Sequence, residues 1–239
     1  MHSASTLLAP VLHPRAEDSL RTPTRSLWPA VLSWVVAVAV GWVAVSRYDL
    51  TTEQPLGDDL AAQWPADSEI VRPDDLATIL LFLHPKCPCS RASLTELERL
   101  TASLEGQRAR DAKLIVVVTT PESPSGEWLK TATVARASRL RNGTLFVDRG
   151  GVEAKRFGAV TSGLVMLYDG KGTCRYAGGV TIARGHEGEN GGRLSLLKIL
   201  EGDLTAPAKF PAFGCRLCLP ERTQPPDRHA TKAAHALGG

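Results

Sequence analysis

Residues 78–105 read TILLFLHPKCPCSRASLTELERLTASLE. The first six are apolar or β-branched and carry no charge, as a strand buried on both faces requires. From Ser90 the pattern changes. Leu94, Leu97, Leu100 and Leu104 recur at three- and four-residue steps, which predicts an amphipathic helix over 90–105. Ser93 with Glu96 fits a capping box, and Ser90 offers an earlier start. Between strand and helix stand Cys87 and Cys89 with Pro88 between them. Two thiols at a strand-to-helix junction point to a redox pair, to metal ligation, or to a structural staple.

Outward from this junction, strands and helices alternate. Residues 113–119 (KLIVVVT) read as a second buried strand, 126–138 as a weaker helix, and 144–148 (TLFVD) as a short strand. A short helix is expected over 151–158. Residues 164–169 and 173–178 flank Gly170-Lys171-Gly172 and read as a β-hairpin. Residues 192–201 read as the last helix. The order predicts an α/β sheet with parallel strands inside and antiparallel ones to one side. No internal repeat is visible.

Residues 27–46 (LWPAVLSWVVAVAVGWVAVS) contain no charged side chain. As a helix these twenty residues span about 30 Å, the thickness of a bilayer core. No polar face marks a buried soluble helix, and a signal peptide's apolar core is normally shorter, about 7–15 residues. The expectation is an uncleaved single-pass anchor. Arg15, Arg21 and Arg25 precede it against Arg47 after it, which puts the N-terminus in the cytoplasm and the rest in an extracytoplasmic, disulfide-permissive space. The expected organisation is a flexible cytoplasmic tail over 1–26, a transmembrane helix over 27–46 and a linker over 47–75. A folded domain over 76–202 follows, then a C-terminal extension over 203–239 that ends disordered. The net charge of +3 is small and mixed, so no nucleic-acid partner is expected.

The segment 76–201 resembles the thioredoxin-like superfamily, in its peroxiredoxin-like or thiol–disulfide reductase branch. The residues that carry the likeness are HPKCPCSRASL after the first strand and LFVDRGGVEAKRFGAVTSGLVMLYDGKGTCRYAGG over 145–179. With TSG and ARGHEGENGG, the whole is also similar to membrane-anchored RedB-like proteins of planctomycetes. The resemblance implies a three-layer thioredoxin-like fold with a mixed central sheet. It also implies redox work on protein thiols and disulfides, or with a membrane redox partner, and no cofactor. Two departures stand out. Thioredoxins carry two residues between the cysteines and this chain carries one, so a Cys87–Cys89 disulfide closes a small, strained ring. That favours an oxidant, isomerase or electron relay over a strong reductant. Thioredoxins also place a cis-proline where this chain has Thr161-Ser162-Gly163, so Thr161 and Ser162 are expected to face Cys87.

A helix N-terminus favours negative charge, and Lys86 adds a local positive charge, as does His84 if protonated. Cys87 is expected to be the more exposed and to attack, with Cys89 resolving. Cys174, inside a strand, reads as a small buried hydrophobe. Cys215 and Cys218 form a CxxC beyond the last helix. They read as a local disulfide, as a tethered relay couple for the first pair, or as half of a zinc site. His186 lies in the glycine-rich stretch 178–192 and reads as a solvated loop residue or as an accessory group beside the cysteines. The alternative to redox exchange is a copper or zinc binding protein using Cys87, Cys89, His84 and His186.

Overall fold

A computed structural model describes residues 27–50, 60–104 and 112–219. The expected tail over 1–26, part of the expected linker and the last twenty residues lie outside it. The chain divides into two units, Met1–Val45 and Ser46–Gly239.

Helix α1, Trp28–Leu50, lies mostly in the first unit and its last turn, from Ser46, in the second. Its window Trp28–Tyr48 is long and apolar enough to cross a membrane, and none of it is buried within the protein. The helix continues four residues beyond the apolar run, since Arg47, Tyr48 and Asp49 carry no helix-breaking signal.

The second unit is built on five strands: β1 (Thr78–Leu83), β2 (Lys113–Thr120), β3 (Gly143–Arg149), β4 (Leu164–Tyr168) and β5 (Cys174–Gly179). Their order across the sheet is β3-β2-β1-β4-β5. β1 pairs in parallel with β2, and β2 with β3; β4 runs antiparallel to β1 and to β5. The helices are α2 (Ser90–Ser103), α3 (Ala132–Ala137), α4 (Val152–Arg156) and α5 (Gly191–Leu200). This is the mixed, three-layer thioredoxin-like α/β fold.

The period-two alternation of a strand sorts each apolar run onto two faces. Ile79, Leu81 and Leu83 point with Val116 and Val118 toward Leu94, Leu97 and Leu100 of α2 and Leu196 of α5. Leu80, Phe82, Val117 and Met166 point the other way, toward Ala154, Phe157 and Ala159. All six residues of β1 are buried, as expected for a strand covered on both sides.

Three expectations need correction. The Ser93–Glu96 capping box does not form. α2 begins at Ser90, Ser93 is buried beneath Gly163, and Glu96 serves other partners described below. The helix over 126–138 shrinks to Ala132–Ala137, capped by Thr131 Oγ1 accepting from Val134 N at 3.2 Å. Residues 60–75 are more than a linker. Trp64 packs edge-on against Phe157 and Tyr168, with centroids 5.2 and 5.1 Å away, and Ile70 is buried.

Candidate functional site

The site forms where β1 ends and α2 begins. The chain turns at once after β1: Cys87 N donates to His84 O at 3.0 Å, and Ser90 N to Cys87 O at 3.3 Å. Cys89 takes the N-cap position in helical conformation with no side-chain cap. The amides of the first turn are taken up by the turn itself: Arg91 N donates to Pro88 O at 3.4 Å and Ala92 N to Cys89 O at 3.1 Å.

Across from this turn lies Thr161-Ser162-Gly163. Among the described residues no peptide bond is cis. Ser162 Oγ accepts from His84 N at 2.9 Å and lies 2.8 Å from Ser90 Oγ, tying the start of β4 to the start of α2. Gly163 N donates to Phe82 O at 2.8 Å. Thr161 is fully buried, and its Oγ1 has no hydrogen-bond partner.

The decisive element is one that the sequence pattern did not reveal. Residues 206–219 return to the sheet and cross the cysteine site. Ala177 N donates to Ala208 O and Phe210 N to Ala177 O, so the segment first lies along β5. It then pairs in antiparallel fashion beside Thr161. Ser162 N donates to Cys215 O at 2.8 Å and Leu217 N to Val160 O at 2.9 Å. Ala212, Phe213 and Leu217 are buried. Missing side chains make room for the crossing. A Cβ on Gly214 would meet Ser162 O at 1.9 Å, one on Gly178 the Phe210 backbone at 2.4 Å, and one on Gly151 the Cys218 carbonyl at 1.9 Å.

This crossing brings Cys215 to Cys87. Cys215 N donates to Cys87 Sγ at 3.4 Å. Cys87 is consequently only 1% exposed, while Cys89 and Cys215 are half-buried. The expectation that Cys87 is the more exposed thiol fails because the C-terminal segment covers it. Burial pushes the Cys87 thiol up. Hydrogen bonds from the thiol and N–H of Cys215, and from the hydroxyl and N–H of Ser90, outweigh burial and leave its pKa below the ordinary cysteine value. Cys89 moves the other way, raised by burial and then by the Cys87 charge, with Arg184 in partial opposition. Cys215 is pushed up to about 12 by burial, then by its hydrogen bond to Cys87 and the charges of Cys87 and Cys89. Of the three clustered thiols, Cys87 is the one shifted toward the thiolate, while Cys89 and Cys215 are shifted toward the protonated form.

The accessory residues divide. His84 Nδ1 accepts from Lys86 N, and its ring lies 5.4 Å from that of Trp128. Burial and then the Lys86 charge lower its pKa, which disfavours the positive charge expected of it. The Lys86 ammonium sits over Trp128, 4.4 Å from the ring centre. His186 is exposed on its loop. The cation acting on Cys89 and Cys215 is Arg184, from the same loop, and its guanidinium also donates to Gly214 O. Cys218 is raised by burial, and Cys174, raised to about 11 by burial, donates to Tyr176 O. Among the described residues no group of three or more His, Cys, Asp or Glu is arranged to hold a metal ion.

A β1–α2 junction carrying Cys87, in a sheet of this order, is the architecture of the thioredoxin-like fold. No family model and no curated protein matches the chain. Solved structures do. A hypothetical protein of Sinorhizobium meliloti 1021 overlays with a TM-score of 0.52 at 16% identity, over 69% of this chain and 98% of that one. An uncharacterized conserved protein of Geobacillus kaustophilus gives 0.50 at 19% identity, over 73% and 96%. A secreted disulfide oxidoreductase of Mycobacterium tuberculosis gives 0.31 at 17%, over 42% and 67%. At these identities the likeness is one of fold.

Proposed function

We propose that this protein is a membrane-anchored, extracytoplasmic thiol–disulfide oxidoreductase or electron relay centred on Cys87, in the manner of the RedB-like proteins it resembles. One observation carries the reading: at the β1–α2 junction the buried Cys87 sulfur accepts from the Cys215 amide at 3.4 Å, a donor that favours the thiolate. Exchange requires that thiolate, and the amino end of α2 supports it. Cys89 belongs to the same motif, and Cys215, from the CxxC it shares with Cys218, is the next station for the electrons. The substrates are protein thiols and disulfides or a membrane redox partner, and no cofactor is needed. α1 supplies the anchor, with the N-terminus cytoplasmic and the domain in the periplasmic space.

The test uses the full chain in detergent micelles, reduced and mixed with oxidised glutathione. Thiol release should proceed in the native chain and fall at least about 100-fold in Cys87→Ser. Equal rates in the two would refute the reading. Stoichiometric copper or zinc in protein purified under reducing conditions, lost in Cys87→Ser, would favour the metal-binding alternative instead.

A further inference from the structure

We propose that Cys215, rather than Cys89, closes the disulfide on Cys87, so that the C-terminal segment is a built-in resolving strand. The inference rests on the exchange reading and assigns the partner within it.

The geometry of the two candidates differs. Cys89 sits one residue from Cys87 on a turn that is already helical. Its thiol also hydrogen-bonds Cys87, but a bridge there has to form within the first turn of α2, where Ser90 N donates to Cys87 O at 3.3 Å and Ala92 N to Cys89 O at 3.1 Å. Cys215 comes from a separate, extended segment whose amide nitrogen is 3.4 Å from Cys87 Sγ. Its Cα is one N–Cα bond, about 1.5 Å, further on. That segment is fixed on both sides of Cys215 by the Ser162–Cys215 and Val160–Leu217 backbone bonds, and by Arg184 on Gly214 O.

The chemistry balances as follows. The Cys87 thiolate attacks one sulfur of a substrate disulfide; that S–S bond breaks and a substrate thiolate leaves, taking the proton of Cys215. The Cys215 thiolate then attacks Cys87 Sγ, the mixed disulfide breaks, and the second substrate thiolate leaves, taking a proton from water. The protein ends with a Cys87–Cys215 disulfide and the substrate with two thiols, having gained two electrons. Burial and the Cys87 charge hold the Cys215 proton in the resting state. Formation of the mixed disulfide removes that charge when Cys215 must ionise. Because Cys87 is covered, residues 213–217 lift to admit the substrate, and their return delivers the second sulfur.

The experiment equilibrates the native full chain with mixtures of reduced and oxidised glutathione. Free thiols are then trapped by alkylation and disulfides mapped by mass spectrometry without reduction. A dominant Cys87–Cys215 bridge is expected. It should persist in Cys89→Ser; in Cys215→Ser it should be replaced by a Cys87–glutathione mixed disulfide at least about tenfold above native level. A dominant Cys87–Cys89 bridge in the native chain overturns the proposal and leaves exchange at Cys87 intact. Absence of any Cys87 disulfide at every ratio overturns both. The mapping on native protein needs no variant, so misfolding of a variant does not blur the result.

Discussion

Gly214→Ala is the sharpest perturbation of the covering segment. The new methyl group would lie 1.9 Å from Ser162 O, inside any tolerable contact, and the obstacle is backbone. The segment must move off, breaking the Ser162–Cys215 and Val160–Leu217 bonds and the Cys215 amide contact on Cys87. Each such bond is worth about 1 kcal/mol net, so the covered state loses about 3 kcal/mol. Cys87 is 1% exposed and reacts only from locally opened molecules. A 3 kcal/mol loss raises the opening constant by about two decades. Alkylation of Cys87 by iodoacetamide, located by mass spectrometry, should therefore accelerate about 100-fold. The assay is run at a pH of about 9, above the ordinary thiol pKa, so that altered ionisation contributes little. A rate within about threefold of native, with circular dichroism unchanged, would show that the strand does not guard Cys87.

Ionisation gives a second test. Because the pKa of Cys87 is depressed, its thiolate persists at pH values below the ordinary cysteine range; Ser90→Ala removes a donor and should shift the pH profile of alkylation upward. An unchanged profile would exclude Ser90 as a source of the depression. Glu96, with a fully buried side chain, accepts from Arg193 Nε at 2.8 Å and Gly188 N at 3.0 Å, joining α2 to α5 and the loop before it. Glu96→Ala leaves Arg193 without that partner and should cost about 3–5 kcal/mol in urea unfolding. Burial raises the Glu96 pKa, but hydrogen bonds from Gly188, Asn190 and Arg193 outweigh it and lower it. Its stabilisation is therefore full above the unfolded-state carboxylate pKa and is lost as pH falls through the lower folded value. Loss in the alkaline range instead would refute the assignment. Thr161→Val replaces a buried, unpartnered hydroxyl with a methyl group and should be neutral or stabilising by about 1 kcal/mol. A clear destabilisation would mean that the hydroxyl has a partner.

The framework was legible because buried strands and amphipathic helices leave periodic traces. TILLFL is β1 to the residue, and the leucine spacing of 94–104 marks the buried face of α2. The hairpin around Gly170-Lys171-Gly172 emerged as β4 and β5. The placement of Cys87 and Cys89 at the helix start followed from the same change of period. What stayed hidden was the return of residues 206–219. The segment APAKFPAFGCRLCL carries neither a helical nor a strand period, and its backbone pairs with Val160, Ser162 and Ala177 through groups common to every residue. The available clue was steric. Gly178 and Gly179 end a strand where side chains are expected, and Gly214 directly precedes a cysteine; each lies where another backbone passes. Exposure of Cys87 was misjudged for the same reason, since position in the motif says nothing about what folds over it. Arg184 was overlooked in favour of His186 because a loop's sequence does not reveal which side chain turns inward.

The central claim is that Cys87 exchanges electrons with other sulfurs. Its most direct test is an equilibrium titration of the full chain against reduced and oxidised glutathione, following free-thiol content and, in the native chain, the oxidation state of Cys87. The account predicts one reversible two-electron transition that disappears in Cys87→Ser. A Cys87 that stays reduced across the whole range, or a transition that survives the substitution, would contradict it.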